Sequence, residues 1–376
     1  MRFPEFSGEW TKIKLGDLGS FFSGGTPSSS RKDFYGGEIP FIRSGELHSD
    51  STALSITKEA YDSCSAKMVN KGDLLLALYG ATSGDISISR ISGAINQAIL
   101  CIRPQYMDAY FIKSLWEKHK KHILETYLQG GQGNLSSEII KNISFFFPNS
   151  DEQVKISRLI HIIDDRIETQ SKIIEELTAL RSALLEKVFQ VSNPTLEVGA
   201  IAHQTSERNK LCRYSNVLSV SNRFGFINQS EQFEDRNVAS DDVRNYKVVH
   251  RGDFAYNPAR INVGSIAMLK SFESGIVSPM YICFQVDDTI VDPSFFELFL
   301  ETKAFKDEME IRLEGSVRRC LSFEALCEIH LPRPALLVQR SISDKIGNIS
   351  SKIKLEDRIL RAYIRQKEWL LQQMFI

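Results

Sequence analysis

Two polar loops carry side chains suited to hydrogen-bonding chemistry. The first is Gln129-Gly130-Gly131-Gln132-Gly133-Asn134. Gln and Asn hold a donor beside an acceptor, which matches the major-groove edge of adenine, and Gly lets backbone come close. The second is Gly315-Ser316-Val317-Arg318-Arg319. Arg suits guanine edges or phosphate. The alternative for each is an ordinary solvated loop. Further candidates are Ser23, Gly25 and Thr26 with Arg43 and Ser44, then Tyr79, Thr82 and Ser83, then Asn96 and Gln97. Later in the chain, Ser221, Asn222 and Arg223, then Asn257, Arg260 and Asn262, and Ser278 stand at comparable places. Singly, each reads as a turn. Their recurrence in both halves points to a shared role.

Other chemistry is missing. No GxxxxGK[ST] loop is present to cradle phosphates. No HExxH or paired CxxC offers a metal site, and no GxSxG offers a nucleophile elbow. The chain has no Pro-Asp dipeptide, which weakens a PD…(D/E)xK nuclease reading. Asn257-Pro258-Ala259-Arg260 superficially resembles the NPPY box of amino-methyltransferases. There an aromatic would stack on a flipped base, but Arg260 fills that position. No S-adenosylmethionine glycine loop precedes it. The expectation is a non-catalytic chain with no metal of its own.

The elements that must position these loops follow from an internal repeat. Residues 151–190 and 337–376 are one long helix written twice at an offset of 186. The first copy places Ile156, Ile160, Ile163, Ile167, Ile174, Leu177 and Leu184 at heptad seam positions. The second places Ile342, Ile346, Ile349, Ile353, Leu360, Tyr363 and Leu370 there. Such a stripe predicts a coiled coil, although an amphipathic helix on a globular core would share it. Gln170 and Arg181 interrupt one stripe, and Glu356 and Lys367 the other, as residues that fix register and partner do.

The repeat continues upstream. Lys71-Gly72-Asp73 aligns with Arg251-Gly252-Asp253, and Ile99-Leu100-Cys101-Ile102 with Tyr281-Ile282-Cys283-Phe284. Strands are predicted over 73–79, 85–88 and 99–103, and over 253–256, 265–269 and 280–286. Each half then has one predicted helix, 108–127 and 293–311. Residues 16–70 and 199–250 barely align, so the two halves share a scaffold and differ in specifics. The predicted order is a domain over 1–150, a helix over 151–192, a domain over 193–335 and a helix over 336–376.

Composition fits a globular protein: 376 residues, 42% hydrophobic and 25% charged. No apolar run reaches the about 20 residues of a membrane span. The start, MRFPEFSGEW, is unlike a signal peptide, and six cysteines without a CxxC pair read as reduced and mostly packed, as in the cytoplasm. Net charge is −1, which does not advertise a nucleic-acid binder. Residues 193–335 hold 16 Lys+Arg against 20 Asp+Glu. If this half grips DNA, a partner must supply part of the phosphate contact.

The whole pattern resembles the specificity (S) subunit of type I restriction-modification systems. The segments that carry the likeness are KGDLLLALYGATSGDISIS, GAINQAILCIRP, GGQGNLSSEIIKNISFFFP and the helix DEQVKISRLI…LLEKVF. RGDFAYNPARINVGSIAML, GIVSPMYICFQV and the closing helix repeat them. The resemblance implies an α+β fold of two target recognition domains and two long helices in an antiparallel coiled coil, with pseudo-twofold repetition. It implies a non-catalytic subunit that reads a bipartite site on double-stranded DNA. Its partners would be two modification (methyltransferase) subunits and two restriction (motor-nuclease) subunits, with no membrane. S-adenosylmethionine, ATP and Mg2+ would belong to those partners. A helix of about 39 residues is roughly 58 Å long, and one turn of DNA is about 34 Å, so a spacer near one turn is expected. The alternatives are a coiled-coil protein scaffold and an orphan specificity subunit without active partners.

Overall fold

The computed structural model describes residues 2–128, 134–190, 194–222, 224–229, 242–315 and 319–375. The chain forms two compact units. One comprises Met1–Lys172 with Asp357–Ile376, and the other Ile173–Glu356. Neither is contiguous with a single domain of the sequence: each takes one globular domain and a piece of both long helices.

The central sheet of the first unit has the order Gly19–Ser23, Ile99–Pro104, Leu74–Ala77, Ile86–Ile88, all antiparallel. In the second unit the order is Ala202–Thr205, Ile282–Val286, Phe254–Tyr256, Ile266–Met268. The two sheets are therefore one topology, and the Cys101 and Cys283 thiols occupy the same buried place in it. Their hydrophobic surroundings push both thiols up to about 12. Around this shared sheet the domains diverge. The first adds a second four-stranded sheet, Ser55–Ile56, Tyr35–Ile42, Gly93–Ile95, Lys67–Val69, with one parallel pair. The second has a hairpin, Leu218–Ser221 with Gly225–Asn228, and a separate pair, Lys247–His250 with Ser274–Val277.

The expected helix over 108–127 is Ala109–Tyr127. The expected helix over 293–311 is instead two, Pro293–Glu301 and Lys303–Arg312. Thr302 breaks it: its backbone is extended, and its hydroxyl donates to Phe299 O at 2.7 Å and accepts from Phe305 N at 3.2 Å. A buried Thr that caps a new helix offers the backbone an alternative to continuing the old one.

The long helices are Ser150–Gln190 and Leu336–Met374. Asn149 Oδ1 accepts from Glu152 N at 2.9 Å and caps the first. Both helices dock on their own domain through one repeated lock. Gln153 Nε2 donates to Pro148 O at 2.9 Å, its Oε1 accepts from Asp108 N at 3.2 Å, and Ser157 Oγ donates to Asp108 Oδ1 at 2.6 Å. In the second unit Gln339, Pro334, Asp292 and Ser343 make the same three bonds at 2.8, 2.9 and 2.8 Å. Gln153 and Gln339 are buried, so each amide needs these partners to offset its desolvation.

The apolar stripe serves the domain cores as well as the helix pair. Ile156, Ile160 and Ile163 are buried in the first domain's core beside Leu370, Leu371, Met374 and Phe375 of the second helix. In the second unit Ile346 and partly buried Ile342 join Leu185 and Phe189 of the first helix. Ile167, Ile174, Leu177, Ile349, Ile353, Leu360 and Tyr363 are half-buried. Leu184 departs from its expected seam position. It is exposed, while Leu185 is buried, because the helix end turns Leu185 and Phe189 toward the domain core.

Within the first unit the helices run antiparallel. Asp164 meets Lys367 at 2.8 Å, and the Arg166 guanidinium lies 5.8 Å from the Tyr363 ring centre. Advancing along one helix retreats along the other. The seam-breaking cations have partners on the domains. Lys367 Nζ is 2.8 Å from Glu117 and 2.8 Å from Asp164. Arg181 is 2.8 Å from Glu301, and its Nε donates to Ser350 Oγ at 2.7 Å. Glu117 and Glu301 occupy corresponding helices. Each cation thus ties a long helix to the domain of the other repeat.

Candidate nucleic-acid interface

In the first unit, candidates scattered over the sequence from Ser23 to Asn134 converge on one edge. Gly24 makes this possible: a Cβ there would lie 1.8 Å from Ile95 O. Only glycine lets the 23–26 loop lie against the end of Gly93–Ile95. Gly25 N donates to Ile95 O at 3.2 Å. The parallel register puts Ile42 beside Ile95, and Asn96 N donates to Ile42 O at 3.3 Å, which sets Arg43 and Ser44 next to Asn96. Tyr79 forms a β-bridge with Asn134, and Leu135 N donates to Leu78 O at 2.8 Å. Thr82 and Ser83 follow in the adjoining turn, with Ser83 Oγ donating to Leu78 O at 3.1 Å.

The side chains on this edge are not equally available. Arg43 forks onto Glu46, with both nitrogen–oxygen distances 3.1 Å, and this contact holds the Glu46 carboxyl below the usual carboxylate range. Asn96 Oδ1 accepts from Ala98 N at 3.2 Å and shapes its own turn. Gln97 is exposed, and Thr26 Oγ donates to its Oε1. Burial raises the Tyr79 phenol, and a hydrogen bond with Gln97 partly opposes that.

The second unit gathers its candidates differently. Ser221 ends one strand of the Leu218–Ser221 hairpin, and Asn222 lies in its loop. Gly264 has a left-handed φ of +88°, and a Cβ there would meet Asn222 Cβ at 3.3 Å. That brings the hairpin loop beside the 257–264 turn. Asn257 Oδ1 accepts from Ala259 N at 3.1 Å, and its Nδ2 is 3.8 Å from Met280 Sδ. Arg260 and Asn262 are exposed, and Ser278 is half-buried. Arg319 is held by Glu310, with 2.7 Å bonds to its carboxylate and its carbonyl. The sequence reading passed over Phe224, Val263 and Met280, which are 67%, 51% and 61% exposed on this same edge. Nothing in their spacing marks them, because exposure here follows from the tertiary approach of hairpin and turn. Gln129, Gln132, Arg223, Ser316 and Arg318 lie outside the described residues.

Among the described residues, no group of three or more His, Cys, Asp or Glu side chains could hold a metal ion. No described helix is long and apolar enough to cross a membrane. All six cysteines are free, and Cys212 is exposed rather than packed.

Residues 7–179 match the family described as the type I restriction modification DNA specificity domain. Over those residues the chain is similar to that family. The MjaVIII specificity subunit of Methanocaldococcus jannaschii is 23% identical over 95% of this chain and 89% of that one. The MjaIX specificity subunit of the same organism is 28% identical over 48% of this chain. The HindI specificity subunit of Haemophilus influenzae is 26% identical over 48% of this chain. The match spans less than half of these last two relatives, 44% and 41%. The crystal structure of a type I restriction-modification S subunit from M. genitalium superposes over 100% of this chain and 99% of its own, with TM-score 0.66 and 16% identity. A chain solved in work on complex assembly and conformational transition of the type I restriction-modification system gives 0.53 and 13%. At such identities the likeness concerns fold, and the fold class is that of these S subunits: α+β, two domains of one topology and two long helices.

Proposed function

We propose that this chain is the sequence-reading subunit of a type I restriction-modification complex in the cytoplasm. Each globular domain reads one half of a bipartite site on double-stranded DNA. The long helices, shared between both units, set the spacing of the halves and carry two modification subunits. Two restriction subunits join for cleavage. Methyl transfer and ATP-driven steps are chemistry of those partners, which would hold S-adenosylmethionine, ATP and Mg2+. The readers in the first domain are Ser23, Gly25, Thr26, Arg43, Ser44, Tyr79, Thr82, Ser83, Asn96, Gln97 and Asn134. In the second they are Ser221, Asn222, Asn257, Arg260, Asn262, Ser278 and Arg319. Four segments, 1–150, 151–192, 193–335 and 336–376, describe the same layout along the sequence.

The observation that carries this reading is one scaffold present twice, each copy locked in the same way to its own long helix, with two unlike exposed edges. One scaffold with two edges suits two half-sites of different sequence. The acidic balance of residues 193–335 supports a clamp shared with the modification subunits. Modification-site sequencing of genomic DNA from cells expressing this chain with its cognate methylase tests it. The expected result is a split motif with one methylated adenine in each half. No directed methylation would favour a protein scaffold or an orphan subunit.

A further inference from the structure

Gln97 stands apart from every other candidate on the first domain's edge. Its amide is exposed at a tip whose backbone is pinned on both sides. Asn96 N donates to Ile42 O at 3.3 Å, and Leu78 N donates to Ala98 O at 2.8 Å. Two hydroxyl groups then hold the amide itself. Thr26 Oγ–H donates to Gln97 Oε1. Gln97 also bonds the Tyr79 hydroxyl, and the bond opposes the upward pull of burial on that phenol. Oε1 is thereby turned toward Thr26. Gln97 keeps further donor and acceptor capacity at an exposed position.

We infer that Gln97 is the residue by which the first domain selects an adenine, with Thr26 and Tyr79 positioning its amide. A fixed amide offers its donor to adenine N7 and its acceptor to the N6 amino group. Guanine would set two acceptors against that pair, and neither pyrimidine offers the same donor–acceptor couple at this spacing. Arg43 is already committed to Glu46, and Asn96 to its own turn. The second domain cannot use this device. In the shared sheet register, Gln97 corresponds to Pro279 and Tyr79 to Ala259. The second half-site must be read by other groups.

The inference rests on the DNA-reading proposal, and one experiment separates the two. The full chain and its Gln97→Ala, Gln97→Glu and Tyr79→Phe variants are each expressed with the cognate modification subunit, and the methylated motif is sequenced. The wild type should give a split motif; if it does not, the DNA-reading proposal itself fails. Gln97→Ala should leave the second half intact and relax one adenine position of the first half by roughly 5- to 150-fold, the range of one bidentate base contact. Gln97→Glu, which can only accept, should shift that position toward cytosine. Tyr79→Phe should relax the same position less than Gln97→Ala does. The inference is overturned if Gln97→Ala keeps the wild-type motif, relaxes a position that is not adenine, or loses both halves together.

Discussion

The two domains share a sheet order, a helix lock and an ion-paired seam, yet the edges they present carry unlike residues. The first shows an amide held by two hydroxyl groups. The second shows Phe224, Val263 and Met280 around Arg260 and Asn262. Elements that hold the chain together are repeated nearly bond for bond, and elements that face outward are not. Position in the scaffold, more than residue type, separates structural from reading roles. Asp73 and Asp253 illustrate the structural side. Asp73 accepts from Asn70 N at 2.8 Å and Asp253 from His250 N at 2.8 Å; one also pairs with Arg103 and the other with Gln285.

The seam cations offer the largest way to break the comparison. Lys367 is mostly buried between Glu117 and Asp164. Lys367→Met should destabilise the first unit by about 3 kcal/mol, because it leaves buried carboxylates short of a partner. Arg181→Met should cost the second unit only about 1 kcal/mol, since Glu301 is 44% exposed. Urea unfolding can distinguish them: Trp10, Trp116 and Trp369 all lie in the first unit, so tryptophan fluorescence reports that unit alone. Circular dichroism follows both.

The helix lock should behave alike in both units. Gln153→Leu and Gln339→Leu should each cost about 1–3 kcal/mol, the penalty for stranding buried hydrogen-bond partners. A large difference between them would mean that the two locks are equivalent in geometry but not in energy.

Acid should sharpen the contrast. Burial raises the Asp164 carboxyl, but Lys113, Lys367 and the bonds from Lys367 and Tyr110 outweigh it, so its value falls below 3.8. A depressed carboxylate contributes stability that is complete above its ordinary value and is lost as pH falls through the lowered one. Ser350 replaces Asp164 at the matching place in the second unit. Below pH about 4, tryptophan fluorescence should therefore show the first unit losing this contribution, and Lys367→Met should flatten that loss.

The smallest effect is expected on the apolar edge. Val263→Ser and Met280→Ala should each change stability by less than about 0.5 kcal/mol, as exposed substitutions do. Both should alter selectivity only in the second half of the target.

Much of the scaffold was legible because it depends on period. Ile156, Ile160 and Ile163 announced a buried helix face, and the aligned Lys71-Gly72-Asp73 and Arg251-Gly252-Asp253 turns announced matching strands. The break at Thr302 was not legible, since Thr is unremarkable inside a helix until its hydroxyl finds a cap. Leu184 and Leu185 could not be told apart, because a stripe that serves a partner helix and then a domain core changes face along the way. The candidate edge was legible residue by residue but not as a group. Thr26, Tyr79 and Gln97 are brought together by the close approach at Gly24 and the register beside Ile95, which no local pattern encodes. Phe224 and Met280 left no signal at all.

Exchange of residues 1–150 for those of a relative, followed by modification-site sequencing with the cognate methylase, tests the central claim most directly. A motif changed in one half, with the other half and the spacer preserved, is the predicted result. A motif unchanged, or altered in both halves, would contradict two independent readers on one repeated scaffold.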